Sequence, residues 1–125
     1  MDDINLSVIN NQTLVDIIQE LYPALNKRIR SYSDLQTFSL SKENKEWNDN
    51  ILIFDVNEKS LSKDLLPKIK VPAICLTSNL NDNHNFYNLK IEKILKPFKI
   101  NAFLLKIKIC QSKNKFEEMS FIKIL

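Results

Sequence analysis

Apolar and polar positions along this chain fall into short blocks whose period switches between that of a strand and that of a helix. Ile4 to Ile9 alternates apolar with polar residues and then ends apolar, as a short inner strand does. Thr13 then opens a helix, with Asp16 three residues on as a weak capping partner. Leu14, Ile17, Ile18, Leu21 and Leu25 follow at the spacing of one apolar helix face, and Pro23 ends or kinks that helix. Residues 28–40 have room for an edge strand and a short helix. The polar run from Ser41 to Asn50 reads as a loop or surface helix, with Trp47 as a lid over the core.

The second half is more regular. Ile51 to Phe54 is a continuous apolar run closed by Asp55, the pattern of a central parallel strand buried on both faces. Leu61, Leu65, Leu66 and Ile69 are spaced as on a helix. Val71 to Leu76 is a second buried strand, ended by Thr77 and Ser78. An asparagine-rich connector, Asn79 to Asn88, is a poor helix former. Ile91, Ile94 and Leu95 then suit a strand, with Lys96 held at its exit because a residue before proline is driven to extended geometry. A helix from Lys99 to about Ser112 closes the series. Strand, helix, strand, helix is the grammar of a doubly wound parallel sheet, an α/β fold.

Composition narrows this without changing it. A chain of 125 residues, 44% hydrophobic and 26% charged, is one domain able to bury a proper core. Its apolar runs are too short to cross a bilayer, and the acidic, polar start does not resemble a secretory signal. Cys75 and Cys110 both sit in apolar stretches, so reduced, buried thiols in a cytoplasmic protein are expected. Of the 18 basic residues only Arg28 and Arg30 are arginines, and the net charge is +3, so direct nucleic-acid binding is not expected. The chain has no glycine at all, which excludes the glycine-rich phosphate loops of P-loop and dinucleotide enzymes. Turns that need positive φ must then fall to asparagine or aspartate.

Ligands of such sheets bind outside the carboxyl ends of the strands. Those ends carry Asn10 and Asn11, Asp55, Thr77 with Ser78, and Lys96. Singly, each is most simply a cap, a turn former or a solvated terminus. Together, a carboxylate, a hydroxyl and an ammonium on one rim can hold and receive an anionic group. Asp55 after ILIF, Thr77 after VPAICL, and Lys96-Pro97-Phe98 after IEKIL resemble the receiver domain of two-component response regulators. The resemblance covers residues 4–112 and leaves 113–125 as an apolar tail, a docked extension or the start of an output domain. It implies a flavodoxin-like, five-stranded parallel sheet in the order 2-1-3-4-5. It further implies that Asp55 is the phosphoacceptor, that Thr77 and Lys96 are the switch hydroxyl and the phosphoryl-binding ammonium, and that the backbone of Asn57 helps hold magnesium.

The departures from that family are as informative. Asn10 and Asn11 stand where the family has the acidic pair that coordinates the metal, and neutral amides are weaker ligands for a hard dication. Magnesium binding is therefore expected to be weak, and phosphorylation of Asp55 weakened or absent. Lys93 takes the place of the inward-swinging aromatic residue, and the link from Asp55 to Pro72 is short. These changes describe an atypical receiver, in which Lys96 can pair directly with Asp55.

The last helix has a second apolar stripe of Ala102, Leu105 and Ile109, flanked by Lys106 and Lys108. The preferred reading is a partner surface, with a homodimer through this helix as receivers often form. The alternative is that the tail, KFEEMSFIKIL, folds back over the stripe. A histidine kinase or an output domain completes the expected partners, in signal transduction or transcription regulation. The competing functional reading is a small enzyme, a hydrolase or phosphotransferase, using Asp55 as a covalent nucleophile. It is weakened by Asn57 where a phosphohydrolase would carry a second aspartate, and by His84, which reads as a surface residue rather than a general base.

Overall fold

The computed structural model describes residues 4–23, 28–44, 50–58, 65–78 and 91–110. Its strands are β1 (Asn5–Ile9), β2 (Ile29–Tyr32), β3 (Asn50–Asp55), β4 (Ala73–Thr77) and β5 (Ile91–Leu95). They form one five-stranded sheet in the order β2-β1-β3-β4-β5, and every pairing is parallel. This is the doubly wound, flavodoxin-like order expected from the sequence. Helix α1 spans Gln12–Leu21, α2 spans Leu35–Ser39, and α3 covers residues 100–110.

The continuous apolar run of β3 is explained by its central position. Ile51 and Ile53 face one core, which holds Leu14, Val15 and Ile18 of α1 and Phe103, Ile107 and Cys110 of α3. Leu52 and Phe54 face the other, with Leu35 and Phe38 of α2 and with Ile69 and Val71 before β4. Both faces of the strand leave water, so alternation disappears and every residue from Ile51 to Phe54 is apolar. The two cysteines divide between these cores, Cys75 in the second and Cys110 in the first, and both are reduced thiols outside any disulfide.

Several local expectations are corrected. The first helix begins one residue before Thr13, and its N-cap is Asn11, whose side chain accepts from the Leu14 N–H at 3.1 Å. Asp16 is no capping partner; its carboxylate accepts from the Gln12 amide at 2.9 Å. The buried face is Leu14, Val15 and Ile18, whereas Ile17 and Leu21 are 42% and 52% exposed. Leu95 is also exposed at 43%, because β5 is the last strand of the sheet as described. Asn50 belongs to β3 rather than to the preceding loop, and its side chain accepts from the buried Ser7 hydroxyl at 3.1 Å. Of the helix expected over Leu61 to Ile69, the described part is a single 3₁₀ turn, Leu66–Lys68. Leu25, Trp47, residues 59–64, the asparagine-rich connector with His84, and the tail 113–125 lie outside the described residues.

One polar residue ties the second layer together. Asn44, 3% exposed, donates to the carbonyls of Ser39 at 3.0 Å and Lys68 at 2.8 Å, and accepts from the Lys70 N–H at 2.9 Å. A buried amide satisfied on both its groups joins the end of α2 to the segment that leads into β4.

Candidate functional site

Strand register decides which side chains share the carboxyl rim of the sheet. Asp55, the last residue of β3, pairs with Leu76 of β4, and Thr77, the last of β4, pairs with Leu95 of β5. Backbone pairing continues one step past each strand. The Val56 N–H donates to Leu76 at 2.9 Å, and the Lys96 N–H donates to Thr77 at 2.7 Å. Asp55, Thr77 and Lys96 therefore stand on one edge, fixed by the ladder rather than by loop conformation.

The Lys96 ammonium crosses β4 to reach Asp55. Its Nζ donates to Asp55 Oδ2 in a direct ion pair, with the two side chains 34% and 32% exposed. The other oxygen, Asp55 Oδ1, accepts the Asn57 N–H at 2.8 Å. Both carboxylate oxygens are thus engaged, one by a cation and one by a backbone dipole. Beyond Lys96, the Lys96-Pro97 peptide is cis, and Phe98 stacks on Phe103 with ring centroids 5.6 Å apart. That stacking ties the segment after Pro97 to α3. Thr77 is buried at the same rim, with its carbonyl committed to the Lys96 N–H.

On the other side of Asp55 an open cleft of about 680 Å³ is lined by Ile9, Asn10, Asn11, Ser33, Asp34, Asp55, Asn57 and Glu58. Asn10 leaves β1 with φ of 46° and donates its N–H to Tyr32 of β2 at 2.8 Å. A left-handed residue turns the chain from strand into helix here, and asparagine fills that role in a chain without glycine. Asn11 lines the cleft, but its side-chain oxygen serves as the cap of α1. The sequence-predicted residues Asn10, Asn11, Asp55 and Asn57 are therefore brought together at one cleft, and Lys96 is joined to it through Asp55.

Asp34, Ser33 and Glu58 complete the lining and were not among the site residues expected from the sequence. Asp34 caps α2, accepting the Thr37 N–H at 2.7 Å, and that bond, with help from the Thr37 hydroxyl, holds its carboxyl below the ordinary range. The signal was available: an Asp just before the apolar-periodic LQTF run is an N-cap pattern. Among the described residues no group of three or more His, Cys, Asp or Glu is arranged to hold a metal ion. None of the described helices is long and apolar enough to cross a membrane. Ala102 and Leu105 are exposed and Ile109 is half-buried on α3.

No protein-family model matches the chain, and no curated protein matches its sequence. Solved structures do match. The signal receiver domain of a LuxO repressor protein from Vibrio parahaemolyticus is 16% identical with a TM-score of 0.60, over 94% of this chain and 96% of that one. The response regulator StyR is 15% identical with a TM-score of 0.68, over 95% of this chain and 65% of that one. The receiver domain of a Francisella response regulator is 16% identical with a TM-score of 0.59, over 89% and 98% of the two chains. At this identity the likeness establishes the fold: the chain folds as response-regulator receiver domains do.

Proposed function

We propose that the chain is an atypical receiver module, which signals through dimerisation or partner binding while magnesium-dependent phosphorylation of Asp55 is weakened or absent. The observation that carries this reading is the engagement of both Asp55 oxygens, by Lys96 and by the Asn57 N–H. The charge of Asp55 is already offset by a lysine of its own chain, which lowers what a dication in the cleft beside it would gain.

The donor chemistry of the cleft supports the same reading. Magnesium demands near-octahedral oxygen ligands and is held mainly by carboxylates. At the β1 exit the cleft offers two amides, and the Asn11 oxygen already caps α1. Asp34 is committed to the Thr37 N–H. These residues do not fit the family's usual metal site. Lys93 of β5, in register with Cys75 of β4, is an ammonium-bearing chain where the family carries its aromatic switch.

Signal transfer would then depend on a surface. The exposed Ala102 and Leu105, with the half-buried Ile109, form the candidate homodimer face on α3. A histidine kinase or an output domain is the alternative partner, and the cytoplasm is the matching compartment. The module acts as a signalling domain, not as an enzyme, in transcription regulation or a related response.

The deciding experiment treats wild type and Asp55→Ala with acetyl phosphate, with and without magnesium, and reads intact mass. The expected result is no stable phosphoryl adduct on wild type in either condition. Stable, magnesium-dependent labelling that disappears in Asp55→Ala would overturn the reading. Light scattering of wild type and Leu105→Asp tests the dimer face, with a dimer expected only for wild type.

A further inference from the structure

Two apolar helix faces on one side of the sheet carry borders of opposite charge. On α1, Ile17 and Leu21 stand one turn apart and are 42% and 52% exposed, while Leu14, Val15 and Ile18 fill the core. The only charged residues of α1 are Asp16 and Glu20, both exposed. On α3, Leu105 is 59% exposed and Ile109, one turn on, is half-buried, while Phe103 and Ile107 fill the core. The only charged residues of α3 are Lys106 and Lys108. Lys106 lies 3.8 Å from Glu92 of its own chain, yet its side chain keeps 31% of its surface, and Lys108 is exposed. A half-exposed leucine is ordinary, but an acidic-bordered pair and a basic-bordered pair are a complementary set.

The fold also sets the two pairs at equal depth. Helices α1 and α3 contribute to the same core cluster and so lie on the same side of the sheet. Each starts at the carboxyl rim and runs back along the sheet. Asn11 caps α1 at the rim. Cys110, at the end of α3, has its sulfur 4.0 Å from the carbonyl of Ala73, the first residue of β4. Ile17 and Leu21 are the sixth and tenth residues of α1, and Leu105 and Ile109 are the sixth and tenth of α3.

A two-fold axis can lay this layer of helices on a second copy in two ways. An axis across the helices sets α1 on α1 and α3 on α3, so carboxylates meet carboxylates and ammoniums meet ammoniums. An axis along the helices exchanges them. Each α1 then meets the α3 of the other copy, equal depths stay opposite, and every acidic border meets a basic one. Like-charge contact disfavours the first arrangement and opposite charge favours the second.

We infer that a second copy of this chain docks on both faces at once, with α1 of each protomer packed parallel to α3 of the other. Ile17 and Leu21 meet the partner's Leu105 and Ile109, and Asp16 and Glu20 border the partner's Lys106 and Lys108. The inference rests on the dimer reading of α3 and names what its stripe meets. It also sets the two Asp55 rims at the same end of the assembly.

The test is sedimentation velocity on the full chain over a dilution series, with two charge-reversed variants. One carries Asp16→Lys and Glu20→Lys, the other Lys106→Glu and Lys108→Glu. Wild type is expected to dimerise, and each variant alone should do so at least about tenfold more weakly, because both halves of the interface then oppose like charges. An equimolar mixture of the variants should form a heterodimer about as tight as wild type, which also shows that both fold. Zero-length carbodiimide cross-linking of isotope-mixed wild type should join Lys106 or Lys108 to Asp16 or Glu20 between chains, a readout that needs no variant. A dimer lost in Leu105→Asp yet unchanged by the α1 reversal would overturn this pairing and keep the dimer reading of α3. A mixture no tighter than its components, or such cross-links found only within one chain, would also overturn the pairing. A wild-type monomer would overturn both.

Discussion

Asp55 closes β3 and Lys96 follows directly on β5, with all of β4 between them, yet their side chains meet in a direct ion pair. Parallel register makes this possible, because the ladder sets both residues on the same edge of the sheet. The pair is one-third exposed, so water screens it and its worth is that of a surface pair. A double-mutant cycle with Asp55→Asn and Lys96→Met is expected to give a coupling of about 1 kcal/mol in urea unfolding at low salt. The coupling should shrink as ionic strength rises. A coupling of zero at low salt would contradict the contact.

Asn10 and Asn11 look alike in sequence but answer to different physical demands, and substitutions should separate them. Asn10 has φ of 46°, so Asn10→Gly is expected to be neutral or slightly stabilising, while Asn10→Val should cost about 1–2 kcal/mol. Asn11 is a cap, so Asn11→Asp should fold as well as wild type while Asn11→Ala loses about 1 kcal/mol. Denaturant midpoints measure all four. Glycine costly at 10, or alanine harmless at 11, would contradict the assigned geometry.

The middle of the sheet was legible because β3 and β4 carry runs of residues that are apolar on both faces. Ile51 to Phe54 reads as a central strand from its apolar run, whereas the order of the five strands came from the resemblance to receiver domains. Rim residues were legible for a related reason: in parallel sheets, the end of a strand in sequence is also its end in space. The face of α1 was not legible, since Ile17 and Val15 are equally apolar and only the sheet decides which one it covers. Asp34 was missed as part of the cleft because it arrives there from another strand–helix junction. Nothing in the local pattern around Asp55 points to it. Asn44 was read as part of a polar run, and only tertiary structure shows that its amide serves three distant backbone groups.

That amide provides a third measurement. Asn44→Ala would strand the Lys68 carbonyl and the Lys70 N–H in a part-buried position, together with the Ser39 carbonyl. Net worth near 1 kcal/mol per bond, with water returning to some of these groups, gives an expected loss of about 2 kcal/mol. Asn44→Asp should be no better, because it keeps the acceptor for Lys70 but replaces the donor of two bonds with a third acceptor. Urea unfolding should show a lower midpoint at unchanged slope for both variants.

Asp34 gives a pH signature with a definite sign. The Thr37 N–H, and secondarily the Thr37 hydroxyl, favour its ionised form and lower its carboxyl below the ordinary value. A carboxyl depressed on folding stabilises the folded state while it is ionised. The contribution is fully present above the unfolded-state value and is lost as pH falls through the lowered folded-state value. Asp34→Ala should therefore melt below wild type at pH 7, and the gap should narrow steadily as the pH drops below the normal carboxylate range. Thermal melts of the two proteins across that range measure it. A gap that stays constant or widens toward acid would mean that the cap works through its shape and not through its charge.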